Sequence, residues 1–426
     1  MDPQTRTNIR SNALGEGLWG FGWNLAPRIT VLPLLVQSLG GSTFEIGLLA
    51  TIATAGTLVP QILTSFVVQT GVGKKRFLIL FHLFVLIPPW AFMGLATLGA
   101  FGMSQAASRI ALLVAYGVFM SCIGFMFPVW FDWVAGLFKR EVRGRAFGWS
   151  GVAAASAAVL ASICAGVATD RLPFPTSYAL LFFVGAGFYV ASMAAFIPAK
   201  EAVRVAVPRR LTPGEVFARF RDSLRERNFR RYLVARVLLT AGSGAVAFYA
   251  VHFKSADGGG VAEETVISLG AATFLAQILA GYALGRLGDA CGHRVGAVLG
   301  GVAQLSALVI ATLLIGTVAC AAVLALLGVG IASGWVSHNN FLFETCPHDY
   351  RTAHITVSNL VLAPVTALVP MGTAHLVATL GVTRAFAVCA VPMVAGVAWL
   401  LVMVREPRSM EVATCATAPR DNTHLT

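Results

Sequence analysis

Charge is what this sequence has least of. Only 12% of its 426 residues are charged, 57% are hydrophobic, and just 19 are acidic. A soluble domain carries about 25% charged residues. Half that share over so long a chain leaves too little polar surface to cover a globule in water, so lipid must cover the remainder. The mean hydropathy of +0.76 agrees. Other absences narrow the class further. The seven cysteines (Cys122, Cys164, Cys291, Cys320, Cys346, Cys389, Cys415) are far apart with no C-x-x-C pair. They are read as small buried side chains, with no disulfide framework, metal site or cofactor implied. No Walker-type phosphate loop is present, which excludes ATP bound in this way as the energy source. No nucleophile–base pair or metal cluster emerges, which points away from an enzyme. A cleavable signal peptide is not expected either, because the first apolar segment is too long and contains Glu16, Asn24 and Arg28.

What is there is a series of apolar windows. Twelve stretches of about twenty or more mostly apolar residues are predicted to cross a bilayer. They run over 12–38, 43–70, 75–99, 108–137, 143–169, 174–198, 231–254, 262–288, 293–316, 318–345, 351–378 and 383–404. Spans 3, 6, 9 and 12 carry few polar residues and suit lipid-facing positions. Spans 1, 4, 5, 7, 10 and 11 hold most polar and small residues and suit an interior cavity.

The net charge of +12 invites a nucleic-acid reading, but its placement decides otherwise. Counting Lys and Arg across alternate loops puts twenty-five on the side of the amino terminus. Four (Arg109, Arg171, Lys254, Arg384) fall on the other side, and two (Arg28, Arg236) inside spans. This is a positive-inside pattern, so both termini are expected in the cytoplasm of a bacterial inner membrane.

The long connection at 199–230 divides the chain into two sets of six spans, residues 1–198 and 231–405. It contains Thr212-Pro-Gly-Glu215 ahead of an amphipathic run through Phe217, Phe220 and Leu224, which predicts a helix on the membrane surface or a solvated linker helix. The tail over 406–426 is expected to be disordered. The halves repeat at an offset of about 210–220 residues, an internal symmetry typical of secondary transporters. Glu45 and Glu264 each open a second span, Asp132 corresponds to Asn340, and Arg143–Ser150 to Arg351–Ser358.

The sharpest motif joins spans 8 and 9: Gly285-Arg-Leu-Gly-Asp289-Ala-Cys-Gly292-His-Arg294. It resembles the G-x-L-x-D-R-x-G-R-R signature of the major facilitator superfamily, with Ala290 where a base is usual. Gly285 permits close helix approach, Gly292 the turn, and Asp289 and Arg294 can latch neighbouring helix ends. The equivalent first-half corner, Ser65–Arg76, has lost the acid. The resemblance covers residues 10–405. It implies an all-α membrane protein with twelve helices in two pseudo-symmetric six-helix bundles that rock about a central site.

Individual residues then take provisional roles. Arg28, about 4–5 Å past the midplane of span 1 at 1.5 Å per residue, is too deep to snorkel and is expected to meet an anionic or polar substrate group. Glu16 lies about 13 Å towards the cytoplasm and is expected to be structural or gating, with Arg236, Arg143 or Arg145 as candidate partners. Asp132, Arg143, Glu344 and Arg351 are expected to join Asp289 and Arg294 in inter-helix ion pairs. Trp335, His338 and Asn339, spaced i, i+3 and i+4, should share a cavity face of span 10. Trp23, Asn24, Tyr249, Gln277 and Asn359 complete the predicted cavity. The implied activity is transport of a small solute by alternating access in a monomer, with protons or another ion as the coupling partner. Export is expected over uptake because a mostly apolar cavity suits amphiphilic metabolites. A transporter-like receptor or assembly factor is the competing class.

Overall fold

The computed structural model of the chain describes residues 2–67, 74–201, 213–345 and 351–407; among these, all regular structure is helical. The first six spans are α1 (Pro3–Leu25) continued by α2 (Val31–Ser38), α3 (Thr43–Val67), α4 (Lys74–Phe81) continued by α5 (Ile87–Thr97), α6 (Gln105–Gly136), α7 (Arg140–Arg171) and α8 (Thr176–Ala195). After α9 (Pro213–Arg225) come α10 (Arg227–Gly242) continued by α11 (Tyr249–Lys254), α12 (Glu263–Cys291) and α13 (His293–Leu313). Then follow α14 (Thr317–Ser333) continued by α15 (Asn339–Thr345), α16 (Arg351–Leu380) and α17 (Val382–Val402).

Eleven described segments are long and apolar enough to cross a bilayer. The remaining crossing is the first span, and here the structure departs from one helix over 12–38. Its helix starts at Pro3, where Asp2 caps it by accepting hydrogen bonds from the Thr5 hydroxyl and amide (2.9 Å for the amide). Those bonds, the hydroxyl's foremost, hold the exposed Asp2 carboxyl below its usual range. The helix then stops at Leu25 and resumes at Val31. Pro27 lacks an amide donor and forces Ala26 out of the helical region, to φ −129° and ψ 63°. Span 7, its repeat partner, is likewise interrupted, by a 3₁₀ segment over Ser243–Phe248. Spans 3 and 10 each contain a widened π-turn, His82–Leu86 ahead of Pro88 and Pro89, and Gly334–His338.

Spans 1–6 pack among themselves, as do spans 7–12, giving two six-helix bundles. The seam between bundles is made chiefly by α3 with α16 and α7 with α12, while α2 touches α11. The sequence placed spans 5 and 11 inside but was silent on 2 and 8. Their seam contacts use Gly, Ala, Ser and Thr, which let backbones approach without leaving a charge signal.

The repeat is built into the hydrogen bonding. In the first bundle, buried Asn8 donates to Lys200 O (2.7 Å) and Leu137 O (2.8 Å) and accepts from Lys200 N (3.0 Å). In the second, Asn228 donates to Arg405 O (2.9 Å) and accepts from Arg405 N (2.8 Å). Each asparagine thus ties the start of its bundle to the chain leaving it. The corners match too. Arg294 donates to the carbonyls of Leu400 (3.1 Å) and Leu401 at the end of α17. Lys75 donates to Ile197 and Ala199 (2.9 Å for Ala199) beyond α8. The first-half corner has lost its acid but keeps the base that caps the neighbouring helix. Glu406, assigned from sequence to the disordered tail, accepts from Arg294 N at 2.9 Å. It lies so close to Gly292 (φ +86°) that a Cβ there would meet its carboxyl at 2.3 Å.

Two predicted features fall at the edge of what is described. Thr212 and Cys415 lie outside the described residues, as does Cys346. The amphipathic run forms α9, which docks on the second bundle through half-buried Phe220 and through Ser223, 3.1 Å from His354 Nδ1. Cys164 and Cys291 are exposed, against the expectation of burial, while Cys320 and Cys389 are buried.

Candidate functional site

An even number of crossings puts residues 2 and 407 on one face, which also carries the twenty-five basic residues and is called the basic face below. All hydrogen bonds joining the two bundles between described side chains lie in the half of the spans away from it. Thr51 donates to Ala367 O (2.6 Å) and Ser162 to Ile267 O (2.9 Å). Backbone approach is closest in the same half: a Cβ on Gly166 would lie 1.8 Å from Ser268 Oγ and 2.8 Å from Glu264 O. Gly47 sits against Pro370 and Ala374 in the same way.

At the outer rim one carboxylate gathers both bundles. Glu263, opening α12, accepts a hydrogen bond from Tyr178 of α8 and forms an ion pair with Lys254 of α11. Lys254 also lies 3.4 Å from Ser38 Oγ at the end of α2. Sequence reasoning singled out the neighbour, Glu264, from the repeat and missed this hub. A signal was available, since Lys254 is one of only four bases on that side and Glu263 lies nine residues on, across a glycine-rich loop. Glu45, the repeat counterpart, pairs with Arg109 (3.0 Å) within the first bundle.

Towards the basic face the described side chains make no bundle-to-bundle hydrogen bond, and a cleft opens between the halves. Arg28 occupies the break in span 1. It is exposed, although Leu25–Pro27 and Ile29–Val31 are buried. It makes no hydrogen bond or salt bridge to a described residue and lies within electrostatic reach of the Tyr116 phenol in α6. A solvent-exposed cation at this depth requires an aqueous cavity, because facing lipid costs about 2.5–3.5 kcal/mol or more. Next to it Trp23, half-buried, stacks on Trp90 (6.5 Å) and lies 5.7 Å from Phe119. Asn24 donates back to Gly20 O (2.8 Å).

The other predicted cavity residues are distributed more widely. Gln277 is half-buried on α12 and Asn359 is exposed on α16. Tyr249 is buried in the second bundle against Phe386, away from Arg28. Trp335 and His338 do not share a face. Trp335 is 64% exposed, while His338 is 7% exposed and turned inward, its carbonyl accepting from Tyr232 (2.9 Å). The reason is the π-turn, which inserts a residue and rotates His338 away from the helical register. Asn339 donates to Trp335 O (3.1 Å).

The gating residues are also redistributed. Glu16 accepts from Trp130 Nε1 (3.3 Å) and pairs with neither Arg236 nor Arg143 nor Arg145. Arg236, half-buried, lies within electrostatic reach of His338. Asp132 pairs with Lys74, inside its own bundle. Arg143 donates to Phe138 O (3.3 Å), and Glu344 lies 3.6 Å from His293 Nε2. Asp289 is exposed on the basic face and Gly285 faces open space near Val336. Arg351 opens α16; its side chain is outside the described set. Among the described residues, the expected network spanning both halves is thus replaced by contacts within each.

Comparison with known proteins agrees with this architecture. No curated protein matches the sequence. Among solved structures, a bacterial homologue of the human lysosomal transporter Spinster, inward-facing and unoccupied, is similar at 17% identity and TM-score 0.62, over 94% of this chain and 96% of the other. A point mutant of the nucleoside transporter NupG superposes at 10% identity and TM-score 0.71, over 94% and 100%. A POT family transporter in complex with 5-aminolevulinic acid gives 11% and 0.68, over 95% and 96%. At these identities the likeness is one of fold. The sequence profile of the Major Facilitator Superfamily matches residues 17–258, more than half the chain, and the protein belongs to that superfamily.

Proposed function

We propose that this membrane transporter moves a small solute across a bacterial inner membrane by alternating access, with residues 1–198 and 231–405 as the moving bodies and 199–230 as their cytoplasmic connector. The observation that carries the proposal is the one-sided seam: the bundles are bonded on the outer side and parted on the basic side, with an unpaired arginine between. By the positive-inside rule the basic face is cytoplasmic, so this is an inward-open state. The hub at Glu263 closes the outer rim. Glu16 on span 1 and Arg236 on span 7 are the opposed charges that face each other when the inner side closes instead. A bistable seam of this kind passes solute without an open channel.

Protons or another ion supply the drive, the chain acts as a monomer, and the bases of α9 lie against anionic lipid. Purified protein in proteoliposomes, given a metabolite mixture and an imposed proton or sodium gradient, should deplete particular solutes from one compartment. Solute binding with no gradient-dependent flux would instead identify a receptor.

A further inference from the structure

The charges inside the described spans are few enough to be weighed together. More than two helical turns from any span end there are three: Glu16, Arg28 and Arg236. The single carboxylate among them accepts from Trp130 and lies about 18 Å from Arg28 along the helix, at 1.5 Å per residue. The cleft therefore holds a surplus of positive charge, and among the described residues Arg28 has no anion beside it. The wall behind Arg28 has the same bias. Trp90 Nε1, Tyr116 OH and Tyr189 OH are buried without hydrogen-bond partners. Their side chains are 2%, 1% and 0% exposed. Trp90 and Tyr189 rings lie 5.4 Å apart, and Phe119 bridges them at 4.8 and 6.0 Å. All three tips can donate a hydrogen bond, and an indole can do nothing else. Flat aromatic surfaces with spare donors and one unpaired guanidinium complement a solute that brings both the ring and the acceptors.

We infer that the substrate is an organic anion, with a carboxylate or similar oxyanion held by Arg28 and a planar apolar body against Trp23. The inference rests on the transporter reading of the same cleft, and it names the class of solute. Guanidinium suits this task because its planar fork pairs both oxygens of a carboxylate, and such charge-assisted bonds are the strong ones.

The test is calorimetric binding to the purified full chain in detergent, using naphthalene-2-carboxylate, naphthalene-2-carboxamide and naphthalene-2-methylamine. The carboxylate should bind at least about tenfold more tightly than its isosteric amide, and the amine should not compete. Arg28→Gln should abolish the preference without weakening the amide, and Arg28→Lys should retain part of it. That charge-keeping variant also separates lost recognition from lost folding. Carboxylate binding no tighter than amide binding, including no detectable binding of either, overturns the inference. So does a preference that survives Arg28→Gln. A preserved preference with no gradient-driven flux would leave this inference standing and defeat the transporter reading alone.

Discussion

Replacing Glu263 by glutamine should unfasten the outer rim. In the structure its carboxylate accepts from the Tyr178 phenol of the first bundle and from the Lys254 ammonium, which itself reaches Ser38. Lys254 and Glu263 side chains are 28% and 23% exposed, so the pair is neither dry nor fully screened. Exposed ion pairs contribute about 0–1 kcal/mol and hydrogen bonds to charged groups about 1.5–3 kcal/mol. Glutamine keeps one acceptor and loses the charge, so the net loss is about 1–2 kcal/mol. These contacts exist only while the outer side is shut, so the loss falls on one state and shifts the equilibrium outward by roughly five- to thirtyfold. Thr30 reports the change. It is fully buried in the break of span 1, with Gly270 of the second bundle beside it. In a chain with its native cysteines replaced by alanine, Thr30→Cys should react with a membrane-impermeant maleimide from outside. The rate should rise roughly five- to thirtyfold when Glu263→Gln is added. Lys254→Met should act alike, and the double variant should exceed either single change only slightly, since both break one contact. An unchanged rate in every variant would refute the reasoning.

Other expectations follow from the same geometry. Gly166→Val places carbon where Ser268 Oγ would lie 1.8 Å from the Cβ, so the outer seam must part; outside labelling of Thr30→Cys should rise at least about tenfold and flux should fall, and normal flux would contradict this. Asn8→Ala strips three hydrogen bonds from a fully buried side chain and should lower stability by about 2–4 kcal/mol in detergent-denaturant titrations. Asn228→Ala should behave similarly, and a loss below about 0.5 kcal/mol in both would show that the repeated tie is not structural. Asp289→Asn should leave expression intact but slow transport, measured as initial rates in proteoliposomes; unchanged kinetics would defeat its assignment to the cytoplasmic corner.

The spans were legible because bilayer thickness imposes a length that no composition can hide, and nearly every helix end falls within a few residues of the apolar window that predicted it. The break after Leu25 was half visible in Pro27 and the clustered glycines, yet the sequence still read as one span, because apolarity continues across the gap. The seam was less legible. Ser162, Gly166, Gly270 and Thr51 carry no charge and no periodic stripe, so nothing in the chain distinguishes a bundle-to-bundle contact from packing within a bundle. A π-turn hid the orientation of His338, since one added residue per turn cannot be counted from spacing. The ion pairs of the basic face failed to cross for a conformational reason: sequence describes both states of a bistable molecule, and the structure shows one. Arg28 alone among the predicted substrate contacts combines depth, exposure and the absence of a described partner. Glu16 took an indole where a guanidinium was expected.

The central claim is that the two bundles exchange which side of the seam is closed. Pulsed dipolar spectroscopy between spin labels tests it most directly, one pair at Arg145 and Arg286 on the basic face and another at exposed Gln105 and Val318 on the opposite face. Adding Glu263→Gln should shorten the basic-face distance while lengthening the other, in the same fraction of molecules. Two distributions that stay fixed, or that move in the same direction, would contradict alternating access.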